Sequence, residues 1–396
     1  MKKHILLCAA LALSSFGLPS CSDILDQKPL DSYTDTAVWG DLSLAESFLN
    51  YCYLRVEAEN TNGVMFCNYT DETYHMHDYG TSTYTQGRAS CDNYNTGWTE
   101  GKGNTWSHYY GGIKLCNQLL EDIMDTPANT DSEKEWKNQI IGQGYFLRAY
   151  YYHMLYSVYG RIPLIDHTYD LDSEFKEERA DMDDVADFIV ADCDKAAELL
   201  PTVYKDASDF GRATKGAALA LKGRVLLYKA SPLFGTPSRE KWQAAADANK
   251  AVIDMNIYSL KQVSNSDEYA DLFFDSKNPE VIFEKLYDEK GIAGSSASLV
   301  MQAPAGPGNG YEGWSTWQPT YEIVELFQNA DGTPYKPAET KPFTILQTTI
   351  DPDSGEATQK EVTIQASDVN PWEGREIRLK ANILYDGMLW GYGDSN

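Results

Sequence analysis

Positive charge is scarce in this sequence: 33 lysines and arginines stand against 59 aspartates and glutamates in 396 residues, for a formal net charge of −26. No basic cluster interrupts that acidity, which argues against binding to phosphate backbones and to anionic membrane surfaces. Long apolar runs are scarce too. No stretch reaches the roughly 18 apolar residues of a bilayer-spanning helix, so membrane attachment must come from something other than charge or a transmembrane segment. Catalytic signatures are missing as well: there is no GxSxG, HExxH, P-loop or dinucleotide fingerprint, and Gly101-Lys102-Gly103 lacks a third glycine and a preceding strand. Among the acids no pair stands out at the set separation a glycosidase requires. There is no CxxC and no Cys/His spacing of a zinc site. These gaps point away from an enzyme and imply neither cofactor nor metal.

What is present begins at the N-terminus. Lys2 and Lys3 precede the nine-residue apolar run Ile5 to Leu13, the pattern of a secretory signal. Leu18-Pro19-Ser20-Cys21 then resembles a bacterial lipobox, in which the cysteine thiol takes a diacylglycerol and the peptide is cut just before it. Residues 1–20 thus read as signal peptide, Cys21 as the lipidation site and 21–40 as a polar tether. Beyond Cys8 and Cys21, five cysteines remain (Cys52, Cys67, Cys91, Cys116 and Cys193), an odd number that leaves at least one thiol unpaired; most read as small buried residues.

From residue 41 to about 270 helical patterns alternate with loops. Leu42, Ala45, Phe48, Leu49, Cys52 and Val56 keep helical spacing, as do Ile113, Cys116, Leu119, Leu120 and Ile123 within Tyr109 to Met124. Ser132 and Glu135 fit a capping box opening a helix that runs to Tyr159 and stops at Gly160. Further helices are expected over Met182 to Leu200, Thr214 to Ala230 and Ser238 to Met255. Closely spaced alanines suit a helical-hairpin array, although the strict 34-residue tetratricopeptide consensus is absent. Residues 59–105 form a long stretch rich in Tyr, Asn, Thr and Gly, and irregular segments of that length are commonly functional. Past Asp271 the character changes to an irregular lobe, 271–396: a short strand over Pro279 to Glu284, a Gly/Ser/Ala/Pro loop from Gly291 to Gly313, a short helix over Tyr321 to Gln328, and a hairpin joining Phe343–Ile350 to Lys360–Ile364. No closing helix or strand follows, so the lobe reads as truncated.

The chemistry lies in aromatics. Tyrosine occurs 27 times and tryptophan nine, many in loops. A sugar presents a flat C–H face rimmed with hydroxyls, which an exposed ring covers while its polar edge stays wet; burying such a face contributes roughly 1.5–3 kcal/mol. Tyr311, Trp314 and Trp317 cluster among glycines, and Trp98 and Trp106 form a second group among asparagines; the competing reading packs each ring beneath its loop. His75-Met76-His77 places two imidazoles on one strand face with no third ligand at metal spacing. Asp351, Asp353 and Gly355 fit a hairpin turn better than a calcium loop.

Taken together the residues resemble the SusD/RagB family of outer-membrane lipoproteins. The resemblance runs through Tyr69-Thr70-Asp71-Glu72, then Trp106, Tyr110, Ile113 and Asn117. It continues through the block Gln143 to Tyr152 with Tyr159-Gly160-Arg161-Ile162-Pro163, Arg212 to Leu221, Asn278-Pro279-Glu280, Trp317 with Pro319, and Arg375 with Arg378. Gly142 and Gly144 depart from the usual block and weaken a helix there. The resemblance implies a mainly α fold: a tetratricopeptide-like scaffold carrying a loop-rich ligand-binding lobe with a few short strands. It also implies a cell-surface, lipid-anchored binding protein that passes glycans to a TonB-dependent outer-membrane transporter. The same architecture also suits capture of peptides, and a surface glycoside hydrolase is the rival from another class. Implied ligand-binding residues are Trp98, Tyr311, Trp314 and Trp317, with Asp71 and Arg88 as polar partners.

Overall fold

The computed structural model describes residues 35–56, 60–61, 64–77, 81–88, 105–170, 172–286, 315–336, 340–350, 357–367, 372–385 and 388. Cys21 with the signal and the tether up to residue 34, Cys91, Trp98, Tyr311, Trp314 and the Asp351–Gly355 turn lie outside the described residues, while the last part of the expected tether, 35–40, is described and holds a short helix.

The first half is helical. α1 (Asp35–Val38) leads into α2 (Leu42–Tyr53), whose Asp41 cap accepts from the Ser43 amide at 2.7 Å. The two-residue strands β1 (Asn60–Thr61) and β2 (Val64–Met65) pair antiparallel, and β3 (Thr73–His75) and the five-residue α3 (Thr81–Thr85) follow. Five longer helices build the scaffold: α4 (Thr105–Asp122), α5 (Asp131–Tyr159), α6 (Met182–Leu199), α7 (Lys215–Ala230) and α8 (Arg239–Asp254). Each packs on the next in sequence, α4 on α5 through to α7 on α8, with α2 laid against α4 and α5. Leu49, Cys52, Ile113, Cys116, Leu119, Phe146, Leu147, Tyr151 and Tyr152 bury their side chains in one continuous core. The thiols of Cys52, Cys67, Cys116 and Cys193 are free, and burial pushes the Cys116 thiol up, which keeps it protonated and unreactive.

Three local expectations change. The capping box of α5 is Thr130 with Glu133: the Thr130 hydroxyl accepts from the Glu133 amide at 3.2 Å, and the Glu133 carboxylate accepts from the Thr130 amide at 2.8 Å. Ser132, two residues later, already lies inside the helix. Gly142 and Gly144 do not interrupt α5. A β-carbon at 142 would stand 3.0 Å from Leu199 and Leu200, and one at 144 the same distance from Leu119, so the glycines let α4 and the end of α6 approach closely. The strand expected over Pro279 to Glu284 is not found: among the described residues no strand pairs with it, and Ile282 and Phe283 pack onto the helical core instead, with Phe283 edge-on to Phe146 at 5.0 Å. The expected end of α5 is found: Gly160 takes φ 65°, a left-handed conformation open to glycine, and its amide donates to the Tyr156 carbonyl.

One buried network joins these helices. The Arg148 guanidinium donates from Nε to Asp192 at 2.7 Å, from the second terminal nitrogen to the same carboxylate at 2.8 Å, and from the first to Asn117 at 2.9 Å. Asn117 in turn donates to the carbonyls of Ile165 and His167, both at 3.0 Å. Helices α4, α5 and α6 and the loop after α5 are thus held by one set of hydrogen bonds.

The second half contains α9 (Ser266–Asp271), β4 (Trp317–Pro319), α10 (Tyr321–Leu326), the strands β5 (Thr340–Ile350) and β6 (Ala357–Ser367), and α11 (Ile377–Asn382). β5 and β6 make a longer hairpin than the sequence pattern delimits, 11 residues a side, with Phe343 opposite Ile364. α9 packs on α11. Arg375 donates to the Val324 and Phe327 carbonyls at 2.6 and 2.7 Å while its guanidinium lies 3.6 Å over the Tyr335 ring, tying α10 to α11. Among the described residues no helix is long and apolar enough to cross a membrane.

Candidate functional site

A two-stranded ribbon joins the halves of the chain. β3 pairs antiparallel with β4, setting Thr73 opposite Pro319, Tyr74 opposite Gln318 and His75 opposite Trp317. The pairing continues past both ends: the Met76 amide donates to the Thr316 carbonyl at 2.9 Å, and the Thr320 amide to the Glu72 carbonyl at 3.0 Å. Thr320 does two jobs. Its hydroxyl donates to the Asp71 carbonyl and also accepts from the Ile323 amide at 3.3 Å, capping α10. An end of the ribbon and the start of a helix are therefore fixed by one side chain.

Trp317 is half-buried and lines a cleft of about 780 Å³ bounded by the ribbon, α9, α10 and α11. Such a volume lies within the roughly 300–1,000 Å³ of small-molecule sites. Tyr269, Phe273 and Phe274 face it from the end of α9, and Glu72, Gln318 and Asn382 supply polar groups. Phe273 and Phe274 are 72% and 86% exposed, a large hydrophobic outlay for a monomer surface. Rings that a core would bury stand open beside a carboxylate and two amides. That arrangement suits a ligand with apolar faces and hydrogen-bonding edges.

The expected site residues divide accordingly. Trp317 lines the cleft, and Asp71 stands exposed at the ribbon's end, where its backbone takes the Thr320 hydroxyl. Arg88 lies exposed just past α3 and does not line the cleft. Trp106 belongs to another place: on α4 it packs at a tilt on Tyr110 and edge-on to Tyr159, ring centres 4.8 and 5.1 Å away. His75 and His77 do not share a strand face as a ligand pair. β3 ends at His75, which is buried, while His77 lies in the following turn and is exposed. Reading the sequence missed Tyr269, Phe273 and Phe274. Their signal was a pair of adjacent phenylalanines just beyond a short polar helix, where helical packing has no use for both.

Comparison with known proteins fits this architecture. Residues 23–227 match a SusD-like family described as starch-binding and associating with the outer membrane, and residues 279–396 match the SusD family. The chain is 23% identical to the SusD-like protein P38 of Formosa agariphila over 342 residues, which cover 80% of this chain and 61% of that protein. It superposes on the crystal structure of a SusD-like protein from Bacteroides fragilis with a TM-score of 0.69 and 25% identity, covering 90% of this chain and 63% of the other. A second B. fragilis structure, of a SusD-like carbohydrate-binding protein, shares the fold at TM-score 0.66 and 21% identity, with 89% and 61% covered. The chain thus spans less than two thirds of the length of these relatives. With a helical array, a crossing ribbon and family matches over both halves, the chain belongs to the SusD/RagB family.

Proposed function

We propose that the protein is a non-catalytic, lipid-anchored glycan-binding protein of the outer cell surface, which hands its ligand to a TonB-dependent outer-membrane transporter. The observation that carries the reading is Trp317 at the mouth of a cleft whose other rings, Tyr269, Phe273 and Phe274, are exposed beside Glu72, Gln318 and Asn382. Stacked rings cover the C–H faces of sugars, and the carboxylate and amides meet hydroxyls. The family's description as starch-binding and the carbohydrate binding ascribed to the B. fragilis relative support the same ligand class. We propose Trp98, Tyr311 and Trp314, which lie outside the described residues, as further rings for the same ligand, and Asp71 at the ribbon's end as a further polar partner. As domains, 41–270 is the scaffold and 271–396 the ligand-binding lobe.

A glycan array followed by calorimetry tests the reading. Replacing Trp317 with alanine should weaken the best array hit by about 1–2 kcal/mol, roughly five- to thirty-fold, with melting little changed because the ring is not a core residue. Retained affinity in Trp317→Ala would move the site elsewhere, and a blank array would favour peptide cargo. Purified protein incubated with the array hit should release no reducing ends; release that disappears on changing one carboxylate would make it a hydrolase.

A further inference from the structure

Trp106, set apart from the ribbon, lines a second cavity of about 380 Å³. One wall is helical, with Trp106 and Tyr110 side by side on α4. The opposite wall is the loop after α5, where His167, Tyr169 and Phe175 form a chain of rings, 4.8 Å from His167 to Tyr169 and 5.9 Å from Tyr169 to Phe175. This loop carries no helix or ladder, yet it is firmly placed. Tyr110 donates to the Pro163 carbonyl at 2.8 Å, and Tyr152 to that of Ile165 at 2.9 Å. Asn117 holds Ile165 and His167, and the Glu121 carboxylate accepts from the Thr168 amide and hydroxyl at 2.8 and 2.6 Å. Phe175 nevertheless stays 59% exposed over the opening. An apolar ring held outside the core by a braced loop serves a ligand better than it serves folding.

We propose that this slot is a second saccharide site, taking one neutral pyranose ring between the α4 wall and the Tyr169–Phe175 wall; the ligand class rests on the glycan reading of the Trp317 cleft. The volume is near the lower end of the roughly 300–1,000 Å³ range for small-molecule sites, which fits a single ring and not an extended chain. Aromatic rings line the slot from both α4 and the loop, and rings of this kind cover the C–H faces of a pyranose. Lys114 lines the slot and offers donors to ring hydroxyls, as does His167. A sugar acid is disfavoured, because residues 161–180 carry six acids against Arg161, Lys176 and Arg179, and Glu121 stands on the same helix as Lys114. The slot shares no lining residue with the Trp317 cleft, so a long glycan reaching both would gain avidity from the pair.

Fluorine NMR of 5-fluorotryptophan-labelled protein reads the two sites separately, with the nine tryptophan signals assigned by single Trp→Phe changes. The probes are D-glucose, D-galactose, D-mannose, D-xylose, L-fucose and N-acetylglucosamine, with D-galacturonate as the acidic control. At least one neutral sugar should shift the Trp106 signal saturably, and galacturonate should not. Phe175→Ala, and separately Tyr169→Ala, should weaken that response at least tenfold while the Trp317→Ala protein keeps it. A Trp106 signal indifferent to all six sugars overturns the proposal, as does a response that survives Phe175→Ala in a protein with unchanged melting. If the Trp106 signal is silent while the array and the Trp317 signal respond, this slot falls and the ribbon site stands; if nothing responds, both fall.

Discussion

Asp192 sits on α6 almost wholly out of water, and burial raises its carboxyl above the usual aspartate value even though Arg148 favours the ionised form. Desolvating two charges is costly, and what offsets it is the forked contact with Arg148 together with the Asn117 bond to the same guanidinium. Removing one partner leaves the other buried and unpaired. Asp192→Ala should therefore destabilise by about 3–5 kcal/mol, and chemical denaturation would reveal a loss under 1 kcal/mol as evidence that water reaches the pair. His153 offers a cleaner pH test. Burial, with Arg224 adding to it, lowers its pKa from 6.5 to about 4, and its Nδ1 makes no hydrogen bond among the described residues. Between pH 6.5 and 4 the unfolded chain binds a proton there that the folded chain refuses. The stability present above pH 6.5 is accordingly lost as pH falls through that window, by at most about 3 kcal/mol. His153→Phe should flatten this part of the melting-temperature profile; a variant profile parallel to the wild-type one would assign the acid sensitivity to other groups.

Elements were legible where their pattern was local. Spacing of apolar residues and the glycine at 160 placed α2, α4, α5, α6, α7 and α8 to within a few residues, since amphipathic periodicity and a left-handed cap are written in neighbouring positions. The ribbon was not legible. β3 and β4 are three residues each, drawn from segments some 240 positions apart, and a pairing that short leaves no period to detect. The strand expected over Pro279 to Glu284 failed for the converse reason: its residues look extended, but pairing depends on a neighbour the local sequence does not specify. Of the residues lining the cleft, Trp317 had been singled out through its composition and resemblance, whereas Phe273 and Phe274 became visible only once exposure was known. Glycines in helices were misjudged, because propensity counts their cost and contacts reveal their use. Gly112 on α4 makes the point sharply: a β-carbon there would lie 2.7 Å from the Tyr151 ring of α5. Gly112→Ala gains helix propensity of about 1 kcal/mol yet should destabilise overall, since overpacking a core costs typically 1–3 kcal/mol and here forces two helices apart. A raised melting temperature in Gly112→Ala would mean that Tyr151 turns aside without cost.

At the scale of the whole molecule, the proposed membrane attachment must be reconciled with charge. A net charge of −26 repels anionic headgroups, and no described helix is long and apolar enough to cross a bilayer. A lipid on Cys21 meets both conditions, because acyl chains insert at about 0.8 kcal/mol per buried methylene irrespective of the protein's charge. One chain holds only marginally, so anchoring that resists washing takes at least two, as a diacylglycerol thioether would supply. Two results should follow. Cys21→Ala should move the protein from the detergent phase to the soluble fraction, because the thiol that carries both chains is gone. Raising the salt should leave the wild-type protein on the membrane, because nothing about its attachment is Coulombic. Detergent-dependent extraction that persists in Cys21→Ala would overturn the lipid anchor, and release of the wild type by 1 M salt alone would replace it with binding to a charged partner.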